Sequence, residues 1–178
     1  MLLLDLLTVG MVVLTGVILI TAIGQLFVAT PFVPTSRNIA TAMVEVAHLK
    51  GKEIVYDLGA GDGAILIQAS KMYPGITARG YEIALGVWLI GVVRVFLSGT
   101  KVRLYWRDAL KQNLQDADII FLYLMPHMMK RCAKKFDAEL RPGTTVISHA
   151  FQFHDRIPLR EITVPKGRSM RRVFVYRW

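Results

Sequence analysis

The sequence predicts a single α/β domain, a mostly parallel sheet of seven strands with helices on both faces, preceded by one N-terminal transmembrane helix. Three observations carry that prediction. Residues 6–29 are 24 consecutive positions without an ionisable side chain, rich in Leu, Val and Ile. The remainder alternates short apolar runs with stretches whose apolar residues recur at helical spacing, the pattern of a parallel sheet. A glycine-rich turn stands at 59–63, where the first of those strands hands over to a helix. With 1–30 assigned to the anchor, 31–178 has the length of one α/β domain, and a second soluble domain is not expected.

As a helix, 6–29 would extend roughly 36 Å against a hydrocarbon core of about 30 Å. A cleaved signal peptide needs a basic n-region, and here the only charge before the run is Asp5, so a retained single-pass anchor is expected. Arg37, Lys50 and Lys52 follow the run and nothing basic precedes it, which places the domain on the cytoplasmic side. All 22 basic residues and 12 of the 13 acids lie in 37–178, a formal charge of +10 that suits an anionic surface such as phospholipid headgroups or nucleic acid, or an ordinary solvated surface. The single cysteine, Cys132, excludes an intrachain disulfide. Neither it nor His48, His127, His149 and His154 fall at zinc-ligand spacing, so no metal is expected.

Pro31 and Pro34 forbid continuation of the first helix, and Thr35 or Ser36 is placed to cap the next one, whose inward face is Ile39, Ala42, Met43, Val46 and Leu49. A strand at 53–58, the turn, and a helix burying Ile65, Leu66, Ala69 and Met72 follow, closed by Pro74-Gly75. A second strand over 77–82, a largely apolar helix over 84–97 and a third strand over 101–106 complete a βαβαβ unit. Residues 118–124 read as a buried fourth strand. Met129, Cys132, Ala133, Phe136 and Leu140 form a helical stripe before the break at Pro142-Gly143. The connection over 109–117 is short for a crossover helix. Strands at 144–150, 159–164 and 172–177 finish the sheet, the last two as a hairpin around a turn at 165–169.

The chemistry is concentrated in Asp57-Leu58-Gly59-Ala60-Gly61-Asp62-Gly63. Its glycines allow a sharp turn and close approach of a ligand to the backbone. Gly59, Gly61 and Ala64 also satisfy the dinucleotide fingerprint, so a nicotinamide cofactor is one reading. The acids favour another. Asp57, two residues before the first glycine, suits a cationic ammonium, and Asp62 adds negative charge where a pyrophosphate needs none. S-adenosylmethionine (SAM) carries an ammonium and a sulfonium and no phosphate. Glu82 ends the second strand, the place for an acid that accepts two ribose hydroxyls, and Asp108 follows the third, where it can accept from an adenine amino group.

The loop at 57–63, Tyr81-Glu82 and Asp108 resemble the cofactor motifs of class I, Rossmann-like seven-strand SAM-dependent methyltransferases over about 145 residues. More narrowly, the anchor followed by Pro31-Phe32-Val33-Pro34-Thr35, the same loop, Gly80-Tyr81-Glu82-Ile83, Trp88-Leu89 and Pro126-His127-Met128-Met129 resemble the membrane-anchored lysine N-methyltransferases of ATP synthase c-subunit and adenine nucleotide translocase. The resemblance implies an antiparallel final hairpin, SAM as methyl donor (S-adenosylhomocysteine as product), a site made by Asp57, Gly59, Ala60, Gly61, Asp62, Gly63, Glu82, Asp108 and Ala109, and methylation of protein lysine. Eukaryotic members are mitochondrial, which would put the domain on the matrix side.

Methyl transfer from a sulfonium is an in-line displacement that asks the protein to align a neutral nucleophile and exclude water. The acceptor is expected over the end of the fourth strand, at Tyr123, Leu124, Met125 and Pro126, under a lid of Phe32, Val33, Pro34 and Thr35. Tyr123 is the candidate to hold a methylammonium by cation–π contact, and His127 the candidate to remove a proton. The expected partners are the bilayer and a protein acceptor in or at it. A lipid or quinone methyltransferase is the rival within catalysis. A non-catalytic module docking the basic helix of Lys130, Arg131, Lys134 and Lys135 on anionic lipid is the rival outside it. No Asn-Pro-Pro-Tyr-like segment follows the fourth strand and no basic tract is rich in aromatics, so nucleic acid is disfavoured.

Overall fold

The computed structural model describes residues 2–27, 32–167 and 169–178, with the side chains of 4–19 in the first helix. That helix, α1 (Leu2–Phe27), is apolar all round, and its Leu4, Leu7, Met11, Leu14 and Ile18 are all exposed. Among the described residues no helix is long and apolar enough to cross a membrane. A span needs about 20 apolar residues, and residues 20–31, on which the expected crossing depends, have no described side chains. The helix stop at Pro31 likewise lies outside the described residues.

The domain runs α2 (Arg37–Val46), β1 (Ile54–Leu58), α3 (Ala64–Met72), β2 (Thr77–Glu82), α4 (Leu85–Ser98), β3 (Arg103–Trp106), a 3₁₀ turn (Ala109–Lys111), β4 (Ile119–Leu122), α5 (Pro126–Glu139), β5 (Thr145–His149), β6 (Arg160–Lys166) and β7 (Ser169–Arg177). The seven strands form one sheet in the order β3-β2-β1-β4-β5-β7-β6, parallel except that β7 runs antiparallel to both neighbours. This is the expected Rossmann-like seven-strand sheet with its terminal hairpin. Strands β1 and β4 are buried on both faces and are near-continuous apolar runs, as parallel strands covered by helices must be.

One face is covered by α2, α3 and the inner side of α4, around Ile39, Met43, Leu66 and Val55. The other has α5, whose Met129, Cys132 and Phe136 pack on Tyr56, Ile120 and Phe174. Here the chain is economical. The link from β3 to β4 is the single 3₁₀ turn, and no helix joins β5 to β6. An aromatic cluster takes the space: Phe136 meets Phe153 edge-on at 6.2 Å and Trp178 at 5.2 Å, and Phe153 meets Tyr176 at 5.0 Å. Arg156 lies 3.9 Å over the Trp178 ring.

Several expectations are corrected. Strands β3 and β4 are shorter than read, and β6 and β7 longer, because Pro165 continues β6 opposite Met170 at the far end of an edge hairpin, where a missing N–H costs no ladder bond. Of the expected turn, Lys166 and Ser169 belong to the strands and Gly167 turns with φ +59°. Ser36 takes the N-cap position of α2 but makes no capping bond, and its hydroxyl is buried without a partner. The inward face of α2 also holds Ala40 and Val44, with Ala42 half-buried against the core.

Candidate functional site

Where β1 and β4 lie side by side, the chain crosses to α3 on one face and to α5 on the other, and the carboxyl ends of the strands splay around a crevice. A cavity of about 250 Å³ opens there. Its floor is the turn after β1, pinned by Gly59 N and Ala60 N, which both donate to Tyr81 O at 2.9 Å. Gly59 and Gly61 have φ of +80° and +57°. At Gly61 a Cβ would also stand 2.7 Å from the Phe32 ring, so the residue that seats the segment before α2 on the loop must lack a side chain.

Three acids define the electrostatics. Asp57 is 2% exposed, lines the cavity, and its carboxylate makes no hydrogen bond to a described residue. Burial, then the neighbouring Glu82 and Asp62 carboxylates, push its carboxyl up to about 8. A carboxylate in that position gains from a cation, and an α-ammonium is the group that fits it. Glu82 is 8% exposed. Its Oε2 accepts from Gly61 N at 2.9 Å, and Oε1 accepts from Ile83 N and Ala84 N at 2.8 Å each. A carboxylate offers about four lone-pair sites, so with three of them ordering the loop it keeps one for a ribose hydroxyl. Asp108 lines the cavity and caps the 3₁₀ turn through Oδ1, accepting from Leu110 N at 2.9 Å.

Asp62 differs from its reading. It lines the cavity, yet its Oδ2 is held by the Arg94 guanidinium of α4, which offsets part of the negative charge it brings to the loop. An acid at the end of β2 serves the ribose of either cofactor, so the decision rests on Asp57.

The cavity wall brings together Phe32, Val33, Thr35, Ala60, Ala109, Tyr123 and Leu124 with those acids, as expected. Other expected members lie elsewhere. Gly63 turns the chain into α3 with φ +77° and faces Leu104 and Val95 behind the loop. Pro34 is exposed before α2. Pro126 and His127 open α5, where Met129, Cys132 and Phe136 take the inward side and leave both exposed. Met125 is the half-buried N-cap, outside the cavity wall. The His127 role is therefore not supported by its position. Behind Tyr123 sits a different histidine: His149 is buried, 4.3 Å from the Tyr123 ring, with its imidazole pushed down by burial and Nδ1 3.2 Å from Arg172 O.

Sequence reading missed Ile83, Arg107, Leu110 and the Met128, Arg131, Cys132 trio, all on the wall. The trio stands at i, i+3 and i+4 of α5, a spacing visible in the sequence. Composition alone groups Arg131 with Lys130, Lys134 and Lys135 as a docking face. That face is broken, because Arg131 serves the cavity and Lys135 pairs with Glu139.

Comparisons with known proteins agree with this geometry. The family model described as the ANTKMT methyltransferase domain matches residues 57–160. A protein-lysine N-methyltransferase of Saccharolobus islandicus (strain REY15A) is 30% identical over 149 residues, covering 82% of this chain and 92% of that protein. The lysine N-methyltransferase of the ATP synthase c-subunit from Rattus norvegicus is 34% identical over 131 residues, 71% of this chain, and the match spans 58% of the rat protein. Among solved structures, an RNA methyltransferase from Salinibacter ruber in complex with S-adenosyl-L-homocysteine superposes with a TM-score of 0.74 at 28% identity, over 82% of this chain and 93% of that one.

Proposed function

The chain belongs to the ANTKMT methyltransferase family and is a SAM-dependent methyltransferase, and from that premise we propose that it N-methylates a lysine of a membrane protein close to the bilayer surface. One observation carries the location. The all-round apolar α1 ends at Phe27, and Phe32 already sits on Gly61 of the cofactor loop. Five residues reach at most about 17 Å, so if α1 is the anchor the cavity is held at the interface. The rat relative, named for a component of ATP synthase as its acceptor, supports the same acceptor class. By the charge asymmetry around α1, the domain stands on the cytoplasmic or matrix side.

In this reading Asp57 holds the ammonium of SAM, Glu82 its ribose, and Asp108 with Ala109 its adenine. When bound, SAM supplies an electrophilic methyl on a sulfonium. The chain itself has to deliver a neutral amine and exclude water. Phe32 and Val33 line the loop side of the cavity and Tyr123 the acceptor side, where an aromatic ring can hold a methylammonium. The Arg107 and Arg131 guanidiniums on the wall disfavour a second cation, which lowers the proton affinity of an entering lysine.

A free lysine titrates near 10.4, so the neutral nucleophile is scarce at pH 7. With SAM saturating, the single-turnover rate on a membrane acceptor is expected to rise about tenfold per pH unit from about pH 6.5 upward, flattening where the bound lysine titrates. A flat profile over that range would remove lysine as the acceptor.

A further inference from the structure

The exposed apolar surface of the domain is concentrated on α4. Ile90, Val93, Phe96 and Leu97 form one stripe at spacings of three and four, exposed to 44%, 58%, 83% and 77% with α1 already packed beside the helix. From Ile90 to Leu97 that stripe covers two turns and is about 12 Å long. The cofactor chemistry makes no use of it, and a stripe of this size on a domain surface marks an interaction site. Its surroundings say which. Residues 83–107 contain no acid and four basic residues. Of these, Arg94 is neutralised by Asp62. Lys101, Arg103 and Arg107 are exposed on or beside β3, the edge strand next to α4, and make no salt bridge to a described residue. Trp106, half exposed, donates from Nε1 to Ile83 O at 2.9 Å where β2 and β3 end at the cavity.

We propose that α4 is an interfacial membrane helix, its Ile90–Val93–Phe96–Leu97 stripe seated at the headgroup–acyl boundary of an anionic bilayer with Lys101 and Arg103 of the adjoining sheet edge reaching the phosphates. An apolar stripe, a flanking indole and unpaired cations without a single acid are the composition of such helices. Basic residues on an edge strand also block strand pairing, but that function does not call for the apolar stripe. A second copy of the chain would meet the same cations and be repelled by them; an anionic bilayer is attracted. The proposal extends the membrane location above: Ile83 and Arg107 belong both to this edge and to the cavity wall, so docking α4 turns the cavity mouth toward the interface.

The test uses the full chain reconstituted in phosphatidylcholine/phosphatidylglycerol vesicles, carrying an environment-sensitive dye at Phe96→Cys, at Glu161→Cys on the opposite sheet edge, or at Val12→Cys in α1. Cys132 is buried with its thiol pushed up to about 12, so the dye goes to the introduced site. The expected result is blue-shifted emission at 96 and quenching by lipid-borne nitroxide several-fold stronger than at 161. Water-like emission at 96 without lipid quenching overturns the proposal. So does dye self-quenching between two chains at 96 without lipid quenching, which would assign the stripe to a dimer. Position 12 reports the anchor separately: quenching at 12 but not at 96 ends this proposal and leaves the anchor reading, and the reverse ends the anchor reading alone.

Discussion

Asp57→Asn is expected to weaken SAM and S-adenosylhomocysteine binding by about 2–5 kcal/mol, the range for removing one partner of a buried charge pair, or roughly 30-fold to several thousand-fold in Kd. The expectation comes from a carboxylate that is 2% exposed, faces the cavity and has no partner of its own in the described protein. Its protonation makes the result separable from simple misfolding. With the carboxyl raised to about 8, the unliganded protein holds most of that proton at pH 7, and an arriving ammonium favours the ionised form. Binding near neutral pH should therefore release a proton, seen in calorimetry as heats that depend on the buffer, and Asp57→Asn should abolish that dependence. The stability consequence has the opposite sign to the binding loss. A folded pKa above the unfolded value of about 3.9 contributes stability that is full below that value and lost as pH rises through about 8. Above pH 8 and without ligand, Asp57→Asn should melt higher than the parent. A variant that binds SAM as well as the parent, or one that melts lower at alkaline pH, would return Asp57 to a structural role.

Phe136→Ala should destabilise the domain by about 3–5 kcal/mol, at the upper end for core truncations. Phe136 is fully buried, and it joins α5 to Phe153 and Trp178 on the face that has one helix and a 3₁₀ turn where the other has three helices. With so few elements there, nothing is placed to collapse into the space. Urea unfolding of the domain should show the loss as a lower midpoint with an unchanged slope. A loss below about 1 kcal/mol would mean that the 150–159 segment relaxes into the hole.

The sheet was legible because its strands are buried on both faces: runs such as 54–58 and 119–122 have one physical interpretation when helical stripes separate them. The strand-to-helix turn and Glu82 were legible because glycine at positive φ and an acid at a strand end have few other reasons to occur together. What escaped the sequence depends on distances across the chain. Arg94 reaches Asp62 from 32 residues away, and the lone cation in an apolar helix was the only sign of it. His127 attracted attention by its place after β4, but the helical rotation set by Met129 and Cys132 sends it to solvent, while His149, unremarkable in its strand, is the imidazole behind Tyr123. The sequence shows the 84–97 helix only as largely apolar and does not reveal its exposed stripe, since an apolar helix facing solvent or lipid and one facing protein have the same composition.

The acceptor is the central claim, and one measurement meets it directly. Membranes that contain the natural acceptor are incubated with the full chain and SAM carrying an isotopic methyl group, then divided into digested protein, extracted lipid and nucleic acid, each read by mass spectrometry. The label is expected on the ε-nitrogen of a lysine in an integral membrane protein, at a position close to the bilayer surface, and to vanish with Asp57→Asn. Label confined to lipid, quinone or RNA would contradict the account.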